Sequence, residues 1–440
     1  VVYASAINGI AGTTPDMAAM KDINPLLDAV LEHIPIPEGD ATKPLQLAVV
    51  NVQYDNYKGR SAVGRVINGV IKTGQAVTHI NRDGKMKPAK ILAVQIFDGL
   101  GKKEVPEAEA GEVVVLSGIE DVGIGETIAD AVNPVALPVM KIEEPTVKMT
   151  FSVNTSPFAG REGEFSTARN IKDRLERELQ NDVALKLEAG VGEGAFIVSG
   201  RGELHLAILI EKMRREGYEF QVSRPKVIFK EVDGGTQEPF EAVSIEAPET
   251  HGGIVIEKMG KRKGEMKDMR VENGITYMEF EIPTRGLIGY RSEFLTDTKG
   301  QGILNTLLLG YRAHIGEIAT NPHGSLISME NGETMGYALT NLQERGDLFV
   351  GPGVEVYAGM VIGQTSKAED MEVNPCKEKK LSNMRSKGDG SSVAIVVPRV
   401  MTLETSLEYL GEDELLEVTP KSLRIRKTHL DSVSRKKASQ

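Results

Sequence analysis

Tryptophan is absent from this sequence of 440 residues, and cysteine occurs once, as Cys376. A single cysteine excludes an internal disulfide framework and any cysteine-rich zinc site. No apolar run approaches the roughly 18 residues that a membrane-spanning helix needs, and the first residues lack the pattern of a signal peptide. We therefore expect a cytoplasmic protein without a membrane contact.

Motifs for nucleotide and hydrolase chemistry are missing as well. Gly–Lys pairs occur, but the residues after them are Met86, Lys103 and Arg262, so none completes the phosphate loop G-x-x-x-x-G-K-[ST]. No G-x-S-x-G elbow occurs, and the seven histidines show no metal-ligand spacing. The sequence therefore predicts no catalytic residue, no metal site and no cofactor within this chain.

The clearest local pattern lies at residues 199–231, which predict a turn out of a strand, a helix and a second strand. Apolar residues recur at the spacing of one buried helix face, at Leu206, Leu209, Ile210 and Met213. Gly217 is placed to end that helix as a C-cap residue. His205 has no catalytic or metal-ligating partner in the motif, so we expect a structural role for it.

The remaining chain falls into β-rich and mixed segments. Residues 42–138 consist of strand-like runs separated by Gly, Asn and Asp turns, and their number and spacing predict a small closed β-barrel. Residues 144–231 and 238–310 each follow the order β-α-β-β-α-β, which predicts two ferredoxin-like modules. From about residue 321 the pattern predicts a compact β-rich domain, in which Asn331–Gly332 is a hairpin signal.

Local cationic segments stand out against a net charge of −11. We define the basic loop as residues 374–388, whose cations are interleaved with Asn, Ser, Pro and Gly: Lys377, Lys379, Lys380, Arg385 and Lys387. Two further groups follow predicted helices or strands: Lys261, Arg262 and Lys263, then Arg424, Arg426 and Lys427. All are candidates for RNA phosphates, since each Lys or Arg on a phosphate releases a counterion. The alternative is a set of solvated side chains that pair with nearby carboxylates or a helix dipole.

The amino-acid sequence of several stretches resembles that of translational GTPases. The spacing at Gly59–Val66 resembles their second-domain barrel, and G-x-G-E-L-H-L at 200–206 resembles their third domain. The segment EAVSIEAPETHGGIVIEKMGKRKGEM resembles the fifth domain of elongation factor G. The stretches ALTNLQERGDLFVGPGVEVYAGM, LSNMRSKG and LEVTPKSLRIRKTHL are similar to the terminal domain specific to the BipA/TypA GTPases.

The resemblance implies a multi-domain α+β fold. Residues 1–40 would be a remnant of the end of a GTPase domain, in which Ser5 and Ala6 resemble its last guanine-contacting turn. The remaining expected domains are a β-barrel at 41–140, ferredoxin-like modules at 141–232 and 233–320, and a β-rich C-terminal domain at 321–440. No segment has the length of the fourth domain of elongation factor G, so we do not expect an ordinary translocase.

The resemblance also implies partners and cofactors. The intact protein would be a GTPase that binds the bacterial ribosome and acts in large-subunit assembly or stress-adapted translation. The basic loop would reach toward A-site tRNA or the large-subunit RNA. GTP and Mg²⁺ are expected only in the intact protein, because this chain lacks the motifs for binding them.

The sequence leaves open two alternative functions and the oligomeric state. One is a portion of another ribosomal GTPase, such as an elongation factor four-like protein. Another is a protein-interaction scaffold without an RNA role, because barrels and ferredoxin-like modules also serve that purpose. We expect a monomer, with self-association as the alternative if a broad apolar helix face stays exposed, at Leu26, Leu27, Val30 and Leu31.

Overall fold

The computed structural model describes residues 1–35, 39–55, 59–139, 144–182, 184–232, 234–318, 324–378 and 396–438. The chain divides into two compact units, Val1–Ile142 and Glu143–Gln440. Among the described residues, no helix has the length and apolar character needed to cross a membrane.

The first unit begins with a hairpin and a helix: β1 (Tyr3–Ser5), β2 (Ile10–Gly12) and α1 (Asn24–His33). Pro25 stands in the first turn of α1, where its missing N–H is not needed. The N–H of Asn24 donates to the Asp22 carboxylate at 2.9 Å. None of the residues of α1 is buried, and Leu31 is 82% exposed.

Ten strands follow: β3 (Gln46–Asp55), β4 (Gly59–Asn68), β5 (Val70–Lys72), β6 (Ala76–Ile80), β7 (Met86–Lys90), β8 (Ala93–Asp98), β9 (Gly101–Val105), β10 (Glu107–Glu109), β11 (Val113–Ser117) and β12 (Thr127–Asp130). Eight of them form one antiparallel sheet in the order β7-β6-β12-β3-β4-β11-β8-β9, and β5 pairs with β10. Gly64 allows β3 and β4 to approach, because a Cβ there would lie 2.6 Å from the Ala48 carbonyl oxygen. Within the described strands no pairing joins β7 to β9, so the expected closed barrel is corrected to an open sheet.

The second unit starts with the first predicted module: β13 (Val147–Ser152), α2 (Ala168–Asn181), β14 (Lys186–Ala189), β15 (Ala195–Gly200), α3 (Glu203–Arg215), β16 (Phe220–Ser223), β17 (Lys226–Val227) and β18 (Lys230–Val232). The strand order β14-β15-β13-β16 is that of a ferredoxin-like fold. Thr167 caps α2, and Gly217 adopts φ 92° just after α3, so the predicted C-cap is confirmed.

The second module consists of β19 (Gly235–Pro248), α4 (Glu249–Lys261), β20 (Glu265–Glu272), β21 (Ile275–Pro283), α5 (Thr284–Leu287), α6 (Tyr290–Asp297) and β22 (Ile303–Ala313). Its strand order is β20-β21-β19-β22, the same arrangement as in the first module, and β18 also pairs with β19. The core beneath this sheet combines strand residues such as Val243 and Phe280 with Val255, Met259 and Phe294 of the helices. The prediction of two ferredoxin-like modules is confirmed.

The remaining elements are β23 (Ser325–Ser328), β24 (Gly332–Glu333), α7 (Gly336–Leu342), β25 (Gly346–Leu348), β26 (Glu355–Val356), β27 (Val361–Thr365), β28 (Met371–Val373), α8 (Leu403–Tyr409), β29 (Glu414–Val418), β30 (Leu423–Lys427) and α9 (Ser432–Ala438). Four of these strands form the sheet β25-β27-β23-β28, and β24 pairs with β26. The hairpin predicted at Asn331–Gly332 is wrong, because β23 pairs with β27 and β28 while β24 pairs elsewhere.

The hairpin β29–β30 extends the sheet of the first module. β29 pairs with β16 in a register from Phe220↔Val418 to Ser223↔Leu415. Leu403 and Leu407 of α8 join the same hydrophobic core as Leu206 and Ile210 of α3. The end of the chain therefore completes the core of the first module, although it lies inside the domain predicted at 321–440.

Candidate nucleic-acid interface

Backbone hydrogen bonds attach the start of the basic loop, and the described residues after it, to the C-terminal region. At the start of the loop, the carbonyl of Pro375 accepts from the N–H of Met335 at 2.9 Å, next to α7. After it, the N–H of Arg399 donates to the carbonyl of Leu348 in β25 at 2.8 Å. Lys377 is exposed. The other predicted cations of the loop, Lys379, Lys380, Arg385 and Lys387, lie outside the described residues.

The predicted triplet after α4 is divided between surface and interior contacts. Lys261 is exposed and pairs with Glu257 one turn earlier at 2.6 Å. Lys263 is exposed in the left-handed region, with φ 65°. Arg262 instead turns inward, donating to the carbonyls of Gly286 and Ile288 and to the Glu293 carboxylate at 3.0 Å.

Arg424 and Arg426, predicted as RNA contacts, bind other side chains within the second unit. The guanidinium of Arg424 pairs with Glu417 at 2.9 Å and with Glu162. Arg426 is 2% exposed and donates to Thr155 Oγ1 at 2.7 Å and to Gln221 Oε1 at 2.5 Å. Burial lowers the pKa of Arg426 from its usual value, partly offset by Tyr357 and Glu417.

Lys427 is enclosed by carboxylates. Only 3% of this residue is exposed, and its Nζ lies 2.6 Å from Asp370 and 3.0 Å from both Asp413 and Glu414. Burial alone lowers the pKa of Lys427, but Glu414 and Asp370 more than compensate and raise it above its usual value. Arg424, Arg426 and Lys427 are thus engaged inside the protein, which corrects their assignment to RNA contact.

The residues assigned to a nucleotide turn lie in the first unit. Ser5 ends β1, and Ala6 opens the turn to β2, with Ser5 opposite Ile10. Ala6 is exposed. A seryl–alanyl turn by itself holds no phosphate or metal, so these two residues supply no nucleotide site on their own.

Two histidines, His205 and His79, each contact a carboxylate within the fold. His205 Nε2 lies 2.6 Å from Asp182, and its Nδ1 accepts from the backbone N–H of Arg201, so both ring nitrogens are engaged within the protein. His79 is buried and lies 2.6 Å from Glu126, a pair without a signal in the sequence. Within the described ranges, no group of three or more His, Cys, Asp or Glu side chains is arranged to hold a metal ion.

Exposed apolar and cationic residues of α3 lie outside the predicted site residues. Leu204 and Ile208 are 55% and 48% exposed, one turn apart on the side opposite the buried face. Arg215 continues that exposed row. The sequence shows that both apolar residues lie outside the buried face at 206–213. Whether they line a groove depends on which elements pack beside the helix.

Sequence families match three separate parts of the chain. Residues 44–131 match elongation factor G domain 2, and residues 235–321 match the elongation factor G C-terminus. Residues 323–432 match the TypA/BipA C-terminal domain. These matches confirm the resemblances stated for the barrel region, the second module and the end of the chain.

Curated relatives match the whole chain. It is 47% identical over 437 residues to the large ribosomal subunit assembly factor BipA of Synechocystis sp., covering 99% of this chain and 72% of that protein. It is 47% identical over 442 residues to the factor of the same name from Bacillus subtilis, covering 100% and 72%. A solved structure from Thermus thermophilus is 19% identical with a TM-score of 0.44, covering 67% of this chain and 59% of that one, too distant to support an argument.

Proposed function

This chain belongs to the TypA/BipA family, and from that premise we propose that it is the ribosome-binding part of a factor that acts in assembly of the large ribosomal subunit. The observation that carries the proposal is the match of nearly the entire chain to relatives that bear this function in their names. Stress-adapted translation is the second role that the family implies. A ribosome partner implies the cytoplasm as the compartment.

We assign the RNA contact to the basic loop and to Lys261 and Lys263. The support is physical: Lys377, Lys261 and Lys263 present their charges at the surface, whereas Arg262 and the cations of β30 are engaged internally. Exposed Lys side chains on a loop can follow an irregular phosphate backbone. Large-subunit RNA and A-site tRNA are the two expected ligands.

We infer that GTP and Mg²⁺ bind the intact protein through residues outside these 440. The support is the sequence, in which no Gly–Lys pair is followed by the Ser or Thr that completes a phosphate loop. Fluorescent GTP analogues should therefore show no saturable binding to this chain with or without Mg²⁺. Saturable binding that unlabelled GTP displaces would refute this inference.

The experiment that tests the ribosome proposal is cosedimentation of this chain with bacterial large subunits across a salt series. The test variant changes the five basic-loop cations to Glu: Lys377, Lys379, Lys380, Arg385 and Lys387. Each lost phosphate contact should reduce the slope of log affinity against log salt by about one. We expect the wild-type chain to pellet at low salt and the variant to remain in the supernatant.

A matched control separates the site from net charge. It reverses five exposed lysines of the first unit: Lys21, Lys43, Lys85, Lys90 and Lys103. If the control and the test variant lose binding equally, the loop is not the contact. If the wild-type chain pellets at no salt concentration, the ribosome proposal fails for this chain and the scaffold alternative gains support.

A further inference from the structure

A groove of about 640 Å³ lies between α3 and the end of the chain, within the second unit. One wall is the exposed row of α3 that includes Leu204, Ile208 and Arg215. The opposite wall combines Met401 and Leu403 at the start of α8 with the turn between β29 and β30, at Lys421 and Leu423. The groove exists because α8 and the β29–β30 hairpin dock on the first module.

The wall of the groove formed by α3 is partly aliphatic. Leu204 and Ile208 stand one helical turn apart and are each about half exposed, while Ala207 between them is buried. A helix of a globular protein usually carries polar residues on the face opposite its core. Two exposed aliphatic residues at this spacing, beside Met401 and Leu423, form a strip that another helix can cover.

The rim is cationic. Lys212, Arg214, Arg215 and Lys421 line the groove together with two carboxylates, Glu211 and Glu404. Lys212 also pairs with Glu178, which lies outside the lining, at 3.0 Å. Glu211 is shared by Arg214 and Arg215, at 2.7 Å from each. Among the described residues, Lys421 forms no ion pair. The groove therefore has cationic capacity for a carboxylate-bearing partner.

The lining favours a protein over a nucleic acid. Single-stranded RNA sites combine cations with aromatic rings on which bases stack. None of the side chains that line this groove is aromatic, and none carries an amide that could read a base edge. Phosphates placed over Leu204 and Ile208 would lose hydration without gaining a partner.

We propose that this groove binds an acidic amphipathic helix of a partner protein. Two aliphatic side chains of that helix, three or four residues apart, would cover Leu204 and Ile208. Its carboxylates would lie against Arg215 and Lys421. This inference goes beyond the proposed ribosome function, because it needs neither RNA nor the basic loop.

The test uses the full chain and a designed helical peptide labelled with a fluorophore. The peptide carries Leu at i, i+4 and i+7 on one face and Glu on both flanks. One control peptide has Lys in place of every Glu, and a second has the same composition in scrambled order. Fluorescence polarisation measures the dissociation constant of each peptide.

The test variants change the groove without disturbing the core. Ile208→Glu is placed at a half-exposed position, and its matched control is Ile254→Glu, which is 39% exposed on α4. We expect Ile208→Glu to weaken binding of the acidic peptide at least tenfold, and Ile254→Glu to leave it unchanged. Thermal unfolding of both variants confirms that they are folded.

Charge exchange gives the decisive result. The double variant Arg215→Glu with Lys421→Glu should lose the acidic peptide and gain the Lys peptide, since the complementarity is reversed. Equal binding of the acidic and scrambled peptides would overturn the proposal, as would no binding of the acidic peptide up to millimolar concentration. A dimer of the chain that Ile208→Glu abolishes would also overturn it, because the occupant would then be a second copy.

Discussion

The buried carboxylates of Glu219 and Glu417 share one side-chain amide. Asn154 Nδ2 donates to Glu219 Oε1 at 2.9 Å and to Glu417 Oε1 at 3.0 Å, and both glutamates are 0% exposed. Glu417 is further held by Arg424 and by the hydroxyl of Tyr357 at 3.0 Å. Asn154 therefore links the loop after β13 to the strand that completes the sheet.

Replacing this amide should destabilise the second unit. Asn154→Ala removes donors from two buried carboxylates at once, so we expect a loss of about 2–4 kcal/mol in the free energy of unfolding. Glu219 keeps the backbone N–H groups of Gly160 and Gly163 as donors. Urea unfolding of the full chain measures the loss. Exposed Asn305 provides the control, and a comparable loss in Asn305→Ala would contradict the explanation.

The carboxyl of Glu203 should make stability depend on pH near neutrality. It lies at the start of α3 and accepts from the N–H of Gly289 at 3.4 Å. Burial and the carboxylate of Glu408 raise the pKa of Glu203 from 4.5 to about 7, opposed by the Gly289 N–H and Arg224. Glu408, in turn, is near Ser292, Glu293 and Arg262.

The direction of the effect follows from proton binding. Between the ordinary pKa and the raised one, the folded chain holds a proton that the unfolded chain has lost. The contribution of Glu203 to stability is therefore fully present below about pH 4.5 and is lost as pH rises through about 7. We expect this group to lower the free energy of unfolding by up to about 3 kcal/mol across that range.

Denaturant unfolding at several pH values checks this expectation. Glu203→Gln should flatten the pH dependence, because the amide cannot ionise. Glu249→Gln is the matched control, since Glu249 also begins a helix but is exposed. An unchanged pH profile in Glu203→Gln would contradict the assignment.

Lys427 should contribute strongly to the stability of the fold, because three carboxylates surround its ammonium group. Lys427→Met leaves Asp370, Asp413 and Glu414 together without their shared cation, so we expect a loss of about 3–5 kcal/mol at neutral pH. Lys421→Met, at an exposed position, should change stability by less than about 0.5 kcal/mol. Equal effects of the two substitutions would refute the buried-cluster explanation.

Two glycine substitutions should have opposite signs. A Cβ at Gly346 would lie 1.9 Å from the carbonyl oxygen of Gln364, so Gly346→Ala must push β25 away from β27. We expect a loss of about 3 kcal/mol or more. A Cβ at Gly253, inside α4, meets no atom within 4 Å, so Gly253→Ala should stabilise by up to about 1 kcal/mol. Thermal unfolding distinguishes the two, and a stabilising Gly346→Ala would contradict the close approach.

Self-association through α1 is the remaining prediction. Leu27, Val30, Leu31 and Ile34 are 51%, 42%, 82% and 62% exposed. If this face drives association, sedimentation velocity should show a concentration-dependent dimer that Leu31→Asp removes. A monomer at all concentrations would refute self-association and leave the expected monomer in place.

Local patterns predicted the order of elements well. Helix formation at 206–213 and helix termination at Gly217 depend on residues close together in sequence. The sequence therefore predicted α3 and its end. The two β-α-β-β-α-β orders were readable for the same reason. The Asn331–Gly332 signal failed because pairing with distant strands outweighed a local turn preference: β23 bonds to β27 and β28.

The candidate site was predicted only in part. The cationic character of the basic loop is a property of composition, and the exposure of Lys261 and Lys263 agrees with their position at the end of α4 and just after it. The sequence of β30 looked equally cationic, yet Arg426 and Lys427 face buried partners. Alternation along a strand cannot tell which face another part of the chain will cover.

The sequence by itself determined the element order, the absence of a phosphate loop and the family. Only the tertiary structure decided that the end of the chain completes the sheet of the first module, and that this docking buries Arg426 and Lys427 while leaving a groove beside α3. The physical reason is that the helix and strand patterns arise from neighbours along the chain. Burial and side-chain hydrogen bonding arise from partners such as Gln221 and Arg426, which meet only after strands far apart in sequence have paired.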